Sequence, residues 1–289
     1  MRFSSTLTAL AAALPFTNAY WKGFNVAATN IDGTCKTTAQ WETAFTKLAG
    51  LPQDITSVRL YASSDCNTLE YAVPAAIATG TQILVGVWTE DSAHYTLEKN
   101  ALEAAINAHG SDWIVAISVG SEDLYRGDTT ASALATQINE VRTIVRDLGV
   151  TQQVGHVDTW TAWVNSTNEA VITASDFIGL DSYPYFQDAA IGDAYDTFWD
   201  SVTATRDQVA AVSPGKWVWV TETGWPVSGP DYGDAVASVK NAQTYWRSVA
   251  CSAFESIHVF WYAYQDYGAS PSFGVFGDNG DAIYDLYKC

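Results

Sequence analysis

Two glutamates stand out by where they fall. Glu122 closes the run AISVGSE and Glu222 closes WVWVTE, and each is followed at once by aromatic residues and glycine, in DLYRG and TGWP. A carboxylate at the end of a buried strand is held in place by the strand. Two such carboxylates facing each other can hydrolyse a glycosidic bond, one protonating the leaving oxygen while the other attacks the sugar or activates water. A separation of ~5–5.5 Å retains configuration, and a wider one inverts it. A single glutamate at a strand end is more often a surface or ion-paired group; two in matching contexts shift the balance toward chemistry.

For the two carboxylates to meet, the strands that carry them must share a sheet. Eight short apolar runs recur: GFNV, VRLY, ILVGVW, IVAISVGSE, VGHVDT, FIGLDSY, WVWVTE and IHVFWY. They are mostly apolar throughout rather than alternating, as expected of strands buried on both faces. Amphipathic segments lie between them. The clearest runs from Thr130 to Leu148, where Leu134, Ile138, Val141, Val145 and Leu148 recur at steps of three and four and Gly149 is placed to end the helix. Residues 93–110 and 194–212 behave similarly. Eight strand–helix units predict an α/β chain folded as a single (β/α)8 TIM barrel. An open doubly wound sheet is the alternative, but it usually carries a glycine-rich phosphate turn after its first strand, and Gly23-Phe24-Asn25 is not one. In a barrel the strand C-termini open into one mouth. Glu122 would end the fourth strand there and Glu222 the seventh, and Tyr61, ending the second, is a further donor candidate.

Residues 1–19 read as a secretory leader: Arg2, the apolar stretch LTALAAALPF, then Thr17-Asn18-Ala19 before Tyr20. The apolar part is too short to span a bilayer. Residues 20–289 would then form the catalytic domain, secreted and without a membrane partner. The sequence ends in DAIYDLYKC without an apolar tail, so no lipid anchor is expected. Four cysteines in a secreted chain favour disulfides. Cys35 follows the first strand and Cys66 the second, so their loops adjoin. Cys251 precedes the eighth strand and Cys289 is the last residue. The expected pairs are Cys35–Cys66 and Cys251–Cys289. The four histidines show no ligand spacing, and neither a metal nor another cofactor is expected. Asn165 begins the glycosylation sequon Asn165-Ser166-Thr167. A net charge of −18 would repel nucleic acid and leaves a neutral ligand open. The chain is expected to be a monomer.

SVGSEDLYRG and VTETGWP resemble the paired signatures of glycoside hydrolase family 17, the β-1,3-glucanases. SVRLYASSDCNTLE, GVWTED, VDTW and ASDFIGLDSYPYFQ extend the likeness over most of residues 20–289. They resemble the secreted fungal branch of endo-β-1,3-glucosidases and β-1,3-glucanosyltransferases of the cell wall. The resemblance implies a (β/α)8 barrel, β-1,3-glucan and laminari-oligosaccharides as ligands, and a retaining mechanism with Glu122 as acid/base and Glu222 as nucleophile. It also implies that Tyr183 hydrogen-bonds the nucleophile. The pattern departs from the family in two places. Many relatives carry asparagine immediately before the acid/base, where Ser121 stands here. The segment after the eighth strand is short, which leaves Gln265 or Asp266 as candidate sugar contacts.

Aromatic residues that follow or end predicted strands are candidate platforms for the flat C–H faces of sugars. These are Trp88, Tyr125, Tyr185, Trp225 and Trp261, with Trp225 in GWP the foremost. Core packing is the competing role for each. Arg126, near Glu122, is expected to form an ion pair.

Overall fold

The computed structural model describes residues 20–266 and 268–288; the leader expected over residues 1–19 and Cys289 lie outside the described residues. Each of the eight apolar runs overlaps a strand. In order they are β1 (Lys22–Asn25), β2 (Ser57–Arg59), β3 (Gln82–Val87), β4 (Ile114–Ser121), β5 (Gln153–Thr159), β6 (Phe177–Asp181), β7 (Trp217–Glu222) and β8 (Val259–Trp261). Neighbours pair in parallel, and β8 pairs back with β1, so the sheet closes as a barrel. This is the (β/α)8 architecture expected from the alternating pattern.

The helices sit where the periodicity places them. Of those used below, α1 (Thr38–Ala49), α2 (Thr68–Thr79) and α3 (Ser92–His109) follow the first three strands. A single turn, α4 (Asp123–Arg126), precedes α5 (Ala131–Asp147). In α5 the residues Leu134, Ile138, Val141 and Val145 are all buried, and full burial of such a side chain contributes about 1.5–3 kcal/mol. Thr130 caps its start by accepting from the Ala133 amide. Gly149, at φ +81°, ends it, a conformation that costs glycine little. Inside the barrel the end away from the mouth is plugged by Leu84, Val115, Phe177, Trp219 and Phe260.

Two irregularities in the ladder bear on the site. The β4–β5 register slips between Ser118 and Ser121, and the β6–β7 register slips between Leu180 and Asp181. In the first, Gly120 and Glu122 both take the left-handed conformation, φ +73° and +58°. A β-carbon at Gly120 would sit 2.3 Å from Asp123 Oδ2, so this position admits only glycine without rearrangement. Such a bulge re-aims the following side chain, here Glu122.

A disulfide joins Cys35 to Cys66, with Cα atoms 5.2 Å apart, and ties the loops after β1 and β2. Cys251 is also disulfide-bonded; its expected partner, Cys289, falls outside the described residues. No described helix is long and apolar enough to cross a membrane.

Candidate active site

Glu222, at the end of β7, is 8% exposed and surrounded by donors. Oε1 accepts from Arg59 Nη1 at 2.5 Å and from Tyr61 Oη at 2.8 Å. Oε2 accepts from Tyr183 Oη at 2.6 Å. Arg59, from β2, is fully buried in the barrel mouth and also donates to Ser121 Oγ (2.9 Å) and Asn25 Oδ1 (3.2 Å). Burial works against its charge, but its neighbours, the Glu222 carboxylate foremost, outweigh that and hold its pKa above the ordinary value. Asn25, on β1, is fixed in turn by donating to the Thr221 and Phe260 carbonyls, both at 3.0 Å. Burial raises the Tyr61 and Tyr183 hydroxyls well above their usual range, with the Glu222 charge adding to the effect. Both therefore remain protonated donors.

Glu122 has a different environment. It follows β4, and its side chain is 27% exposed. Among the described residues no hydrogen-bond donor holds its carboxyl group, and the cation within 4 Å is Arg126, with Nη1 3.7 Å from Oε2. Arg126 is itself divided among Glu90, Asp128 and the Ser121 carbonyl. Burial first, then the charges of Glu222 and Asp158, push the Glu122 pKa up to about 7, against the pull of Arg126 and Arg59. The two carboxyl groups in one mouth thus have unlike surroundings, the kind of contrast from which acid and nucleophile roles can be assigned. The turn carrying Glu122 is held from below by Asp158. Its carboxylate accepts from the Leu124 and Thr159 amides (2.9 and 2.8 Å) and faces His156 Nε2 (3.0 Å).

Both glutamates line one cleft of about 440 Å³. Tyr125 follows β4 on one wall, and Thr159, Trp160 and Thr161 follow β5. Tyr183, Phe186 and Gln187 follow β6, and Tyr262, Pro271 and Phe273 follow β8. Asp181 lies in the floor. Apolar ring faces beside a few directed polar groups suit a neutral, hydroxyl-rich ligand.

The structure brings Glu122, Glu222, Tyr61, Ser121, Tyr125 and Tyr183 to this mouth. Ser121 is held by Arg59 beneath the cleft surface, and Tyr125 is 62% exposed on its rim. Three expected sugar contacts are placed elsewhere. Trp225 is 1% exposed, packs edge-on against Tyr185 and beside Tyr245, and donates from Nε1 to the Val236 carbonyl. Tyr185 is equally buried, with its hydroxyl on the Pro230 carbonyl. Asp266 organises its own loop, accepting from Ser272 Oγ and from the Phe273 and Gly274 amides. All three support the wall behind the cleft rather than its surface. Trp261 is buried, and Trp88 lies under the Arg126 guanidinium outside the cleft lining. Gln265 donates to the Gly277 carbonyl. Asn165 is exposed, and its side-chain oxygen accepts from the Thr167 amide.

The sequence reading passed over Arg59, Asn25, Trp160, Asp181, Phe186 and Phe273. The signal for Arg59 and Asn25 is a polar residue inside an apolar strand, VRLY and GFNV, where burial is tolerable only with partners. Asp65, His94 and Glu98 place ligand-type atoms within 4.8 Å of one another. The Glu98 oxygens, however, are already taken by the Ser63, Ser64 and Trp88 amides and the Ser64 hydroxyl. The group fastens the loops after β2 and β3.

Comparison with known proteins agrees with this geometry. Residues 23–275 match the family model of the BtgE/BtgC glycoside hydrolase domain. A probable glucan endo-1,3-beta-glucosidase of Aspergillus oryzae is 41% identical over 97% of this chain, which spans 65% of that relative's length. A glucan 1,3-beta-glucosidase of Saccharomyces cerevisiae is 39% identical over 87% of this chain and 84% of its own. Among solved structures, the glycoside hydrolase family 17 beta-1,3-glucanosyltransferase of Rhizomucor miehei superposes with a TM-score of 0.79 at 29% identity, covering 93% of this chain and 98% of that one. An active-site mutant of the Rhizomucor miehei beta-1,3-glucanosyltransferase, in complex with laminaritriose, superposes with a TM-score of 0.80.

Proposed function

The chain belongs to the BtgE/BtgC glycoside hydrolase family, and from that membership we propose that it is a secreted enzyme that cleaves β-1,3-glucan with retention of configuration. The observation that carries the mechanism is the contrast between the two glutamates in one cleft. Glu222 is held by three donors, while Glu122 has its pKa pushed up to about 7. In the first step the Glu122 proton passes to the glycosidic oxygen while a Glu222 oxygen attacks the anomeric carbon. The bond to the leaving chain breaks, and a glycosyl ester of Glu222 forms. Glu122, now a carboxylate, takes a proton from the incoming nucleophile, which attacks the same carbon and frees Glu222.

The second nucleophile is water in hydrolysis or a glucan hydroxyl in chain transfer. Both use the same residues. Transfer is favoured by the ring faces of Tyr125, Trp160, Phe186 and Phe273, which offer a second sugar chain contact surface beside the reacting pair. Incubation with a reduced laminari-oligosaccharide tests the proposal. Shorter products alone indicate hydrolysis, shorter and longer products together indicate transfer, and an unchanged substrate overturns it.

A further inference from the structure

Two carboxyl groups, those of Glu222 and Asp181, lie beside one cation in the barrel mouth. Arg59 Nη1 is 2.5 Å from Glu222 Oε1 but 4.0 Å from Asp181 Oδ1. The Asp181 side chain has no exposed surface. Its Oδ1 accepts one hydrogen bond, from Thr221 Oγ1 at 2.8 Å, and its buried Oδ2 has no partner among the described residues. The charged or titratable groups that face it are Glu222 on β7, Glu122 after β4, Arg59 on β2 and Tyr183 after β6. Arg59 alone of these is positive, and its hydrogen bonds go to Glu222, Ser121, Asn25 and the Thr221 carbonyl.

A buried carboxylate needs a paired cation or several donors. Glu222 has three donors, one of them the cation; Asp181 has one hydroxyl. When two carboxyl groups share a site, the proton stays on the one whose charge is less well supported. We propose that Asp181 is a neutral carboxylic acid at the pH where the enzyme works, and that it is a positioning residue. By keeping its proton it leaves Glu222 as the carboxylate paired with Arg59, and it adds no second negative charge beneath Glu122. Burial, ahead of the Glu222 charge, holds the Asp181 carboxyl well above the usual carboxylate range, in keeping with this geometry. The role rests on the functions proposed above for Glu122 and Glu222; the protonation state does not.

The experiment has two independent readouts. The first is carbon-13 NMR of protein labelled at aspartate carboxyl carbons, titrated from pH 5 to 8 and compared with Asp181→Asn. One aspartate resonance should stay at the carboxylic-acid position throughout and vanish in the variant. If every aspartate resonance is at the carboxylate position at pH 6, the proposal is overturned, whether or not the protein cleaves glucan. The second is the pH profile of glucan cleavage. Asparagine resembles the protonated acid, so Asp181→Asn should leave the alkaline limb unmoved whatever it does to the rate. If Asp181 were ionised, losing its charge would lower that limb by about a unit, as expected for carboxyl groups sharing a site, and the proposal would fail. Should Asp181→Asn not fold, Glu222→Gln replaces it. Freeing Arg59 for Asp181 should move the acid resonance toward the carboxylate position at lower pH than in the parent. No movement overturns the claim that Arg59 pairs with Glu222 in place of Asp181.

Discussion

Tyr183 Oη lies 2.6 Å from Glu222 Oε2, reaching across from the end of β6 to the neighbouring strand. Burial, with the Glu222 charge adding to it, keeps the hydroxyl protonated and so a donor. A hydrogen bond to a charged group contributes about 1.5–3 kcal/mol. Tyr183→Phe should therefore lower kcat/KM on laminarin by about 10–150-fold with an unchanged far-UV circular dichroism spectrum. A loss under twofold would mean that the bond does not act on the reaction.

The two glutamates should fail differently when removed. Glu222→Ala lacks the attacking group, and azide in its place should give an inverted glycosyl azide from an activated substrate. Glu122→Ala should still form the glycosyl ester when the leaving group is good, and azide should then give the retained product. Without a proton donor, cleavage of natural glucan should fall by at least ~10²–10⁴-fold. The anomeric configuration of each azide product decides the matter, and exchanged outcomes would reverse the assignment.

Because the Glu122 pKa is pushed up to about 7, activity that needs its proton should decline as pH rises through about 7. Stability follows the same group. The folded pKa exceeds the unfolded value of 4.5, so the native state binds more protons between those limits and loses stability as pH climbs from about 4.5 to about 7. Glu122→Gln removes that cost. At pH 8 it should be inactive yet more stable than the parent by about 1–3 kcal/mol, read from urea midpoints. Equal midpoints would show that the carboxylate is not destabilised by its surroundings.

Arg59 is the buried partner of the Glu222 carboxylate, and breaking such a pair from one side costs about 3–5 kcal/mol. Arg59→Met should lower the unfolding free energy by that order, read from urea denaturation, and abolish cleavage. Arg59→Lys keeps a charge but not the planar fork that spans Ser121, Asn25 and Glu222, so it should recover part of the stability and little of the rate.

Replacement of Cys35 and Cys66 by serines should cost about 2–4 kcal/mol, the usual range for a disulfide. Differential scanning calorimetry with and without the bridge measures it. An unchanged Tm would mean that the loops after β1 and β2 are held by other contacts.

The barrel was legible because its strands are apolar on both faces, so each shows as a short unbroken run whose position needs no side-chain detail. Glu122 and Glu222 were legible because each closes such a run and is followed at once by aromatic residues and glycine. Trp225 and Tyr185 misled because an aromatic residue after a strand reads alike whether its ring turns into the cleft or behind it. That direction is set by packing against Tyr245 and Phe273, residues distant in sequence. Arg59 and Asn25 were overlooked because a polar residue within an apolar run looks incidental until its partners, most of them over 30 positions away, are known.

The Arg59–Glu222 contact joins residues 163 positions apart, and Asn25 reaches Thr221 and Phe260 over 196 and 235 positions. The first two strands and the last two must therefore have met before the Glu222 carboxylate has its donors Arg59 and Tyr61 and before Asn25 is fixed. No partly assembled chain can carry a working fraction of the site, since loop closure over such spans comes late in folding. Turnover thus reports ring closure itself: in a population of refolding molecules, the regain of cleavage should trail the regain of helix and coincide with the last step of assembly.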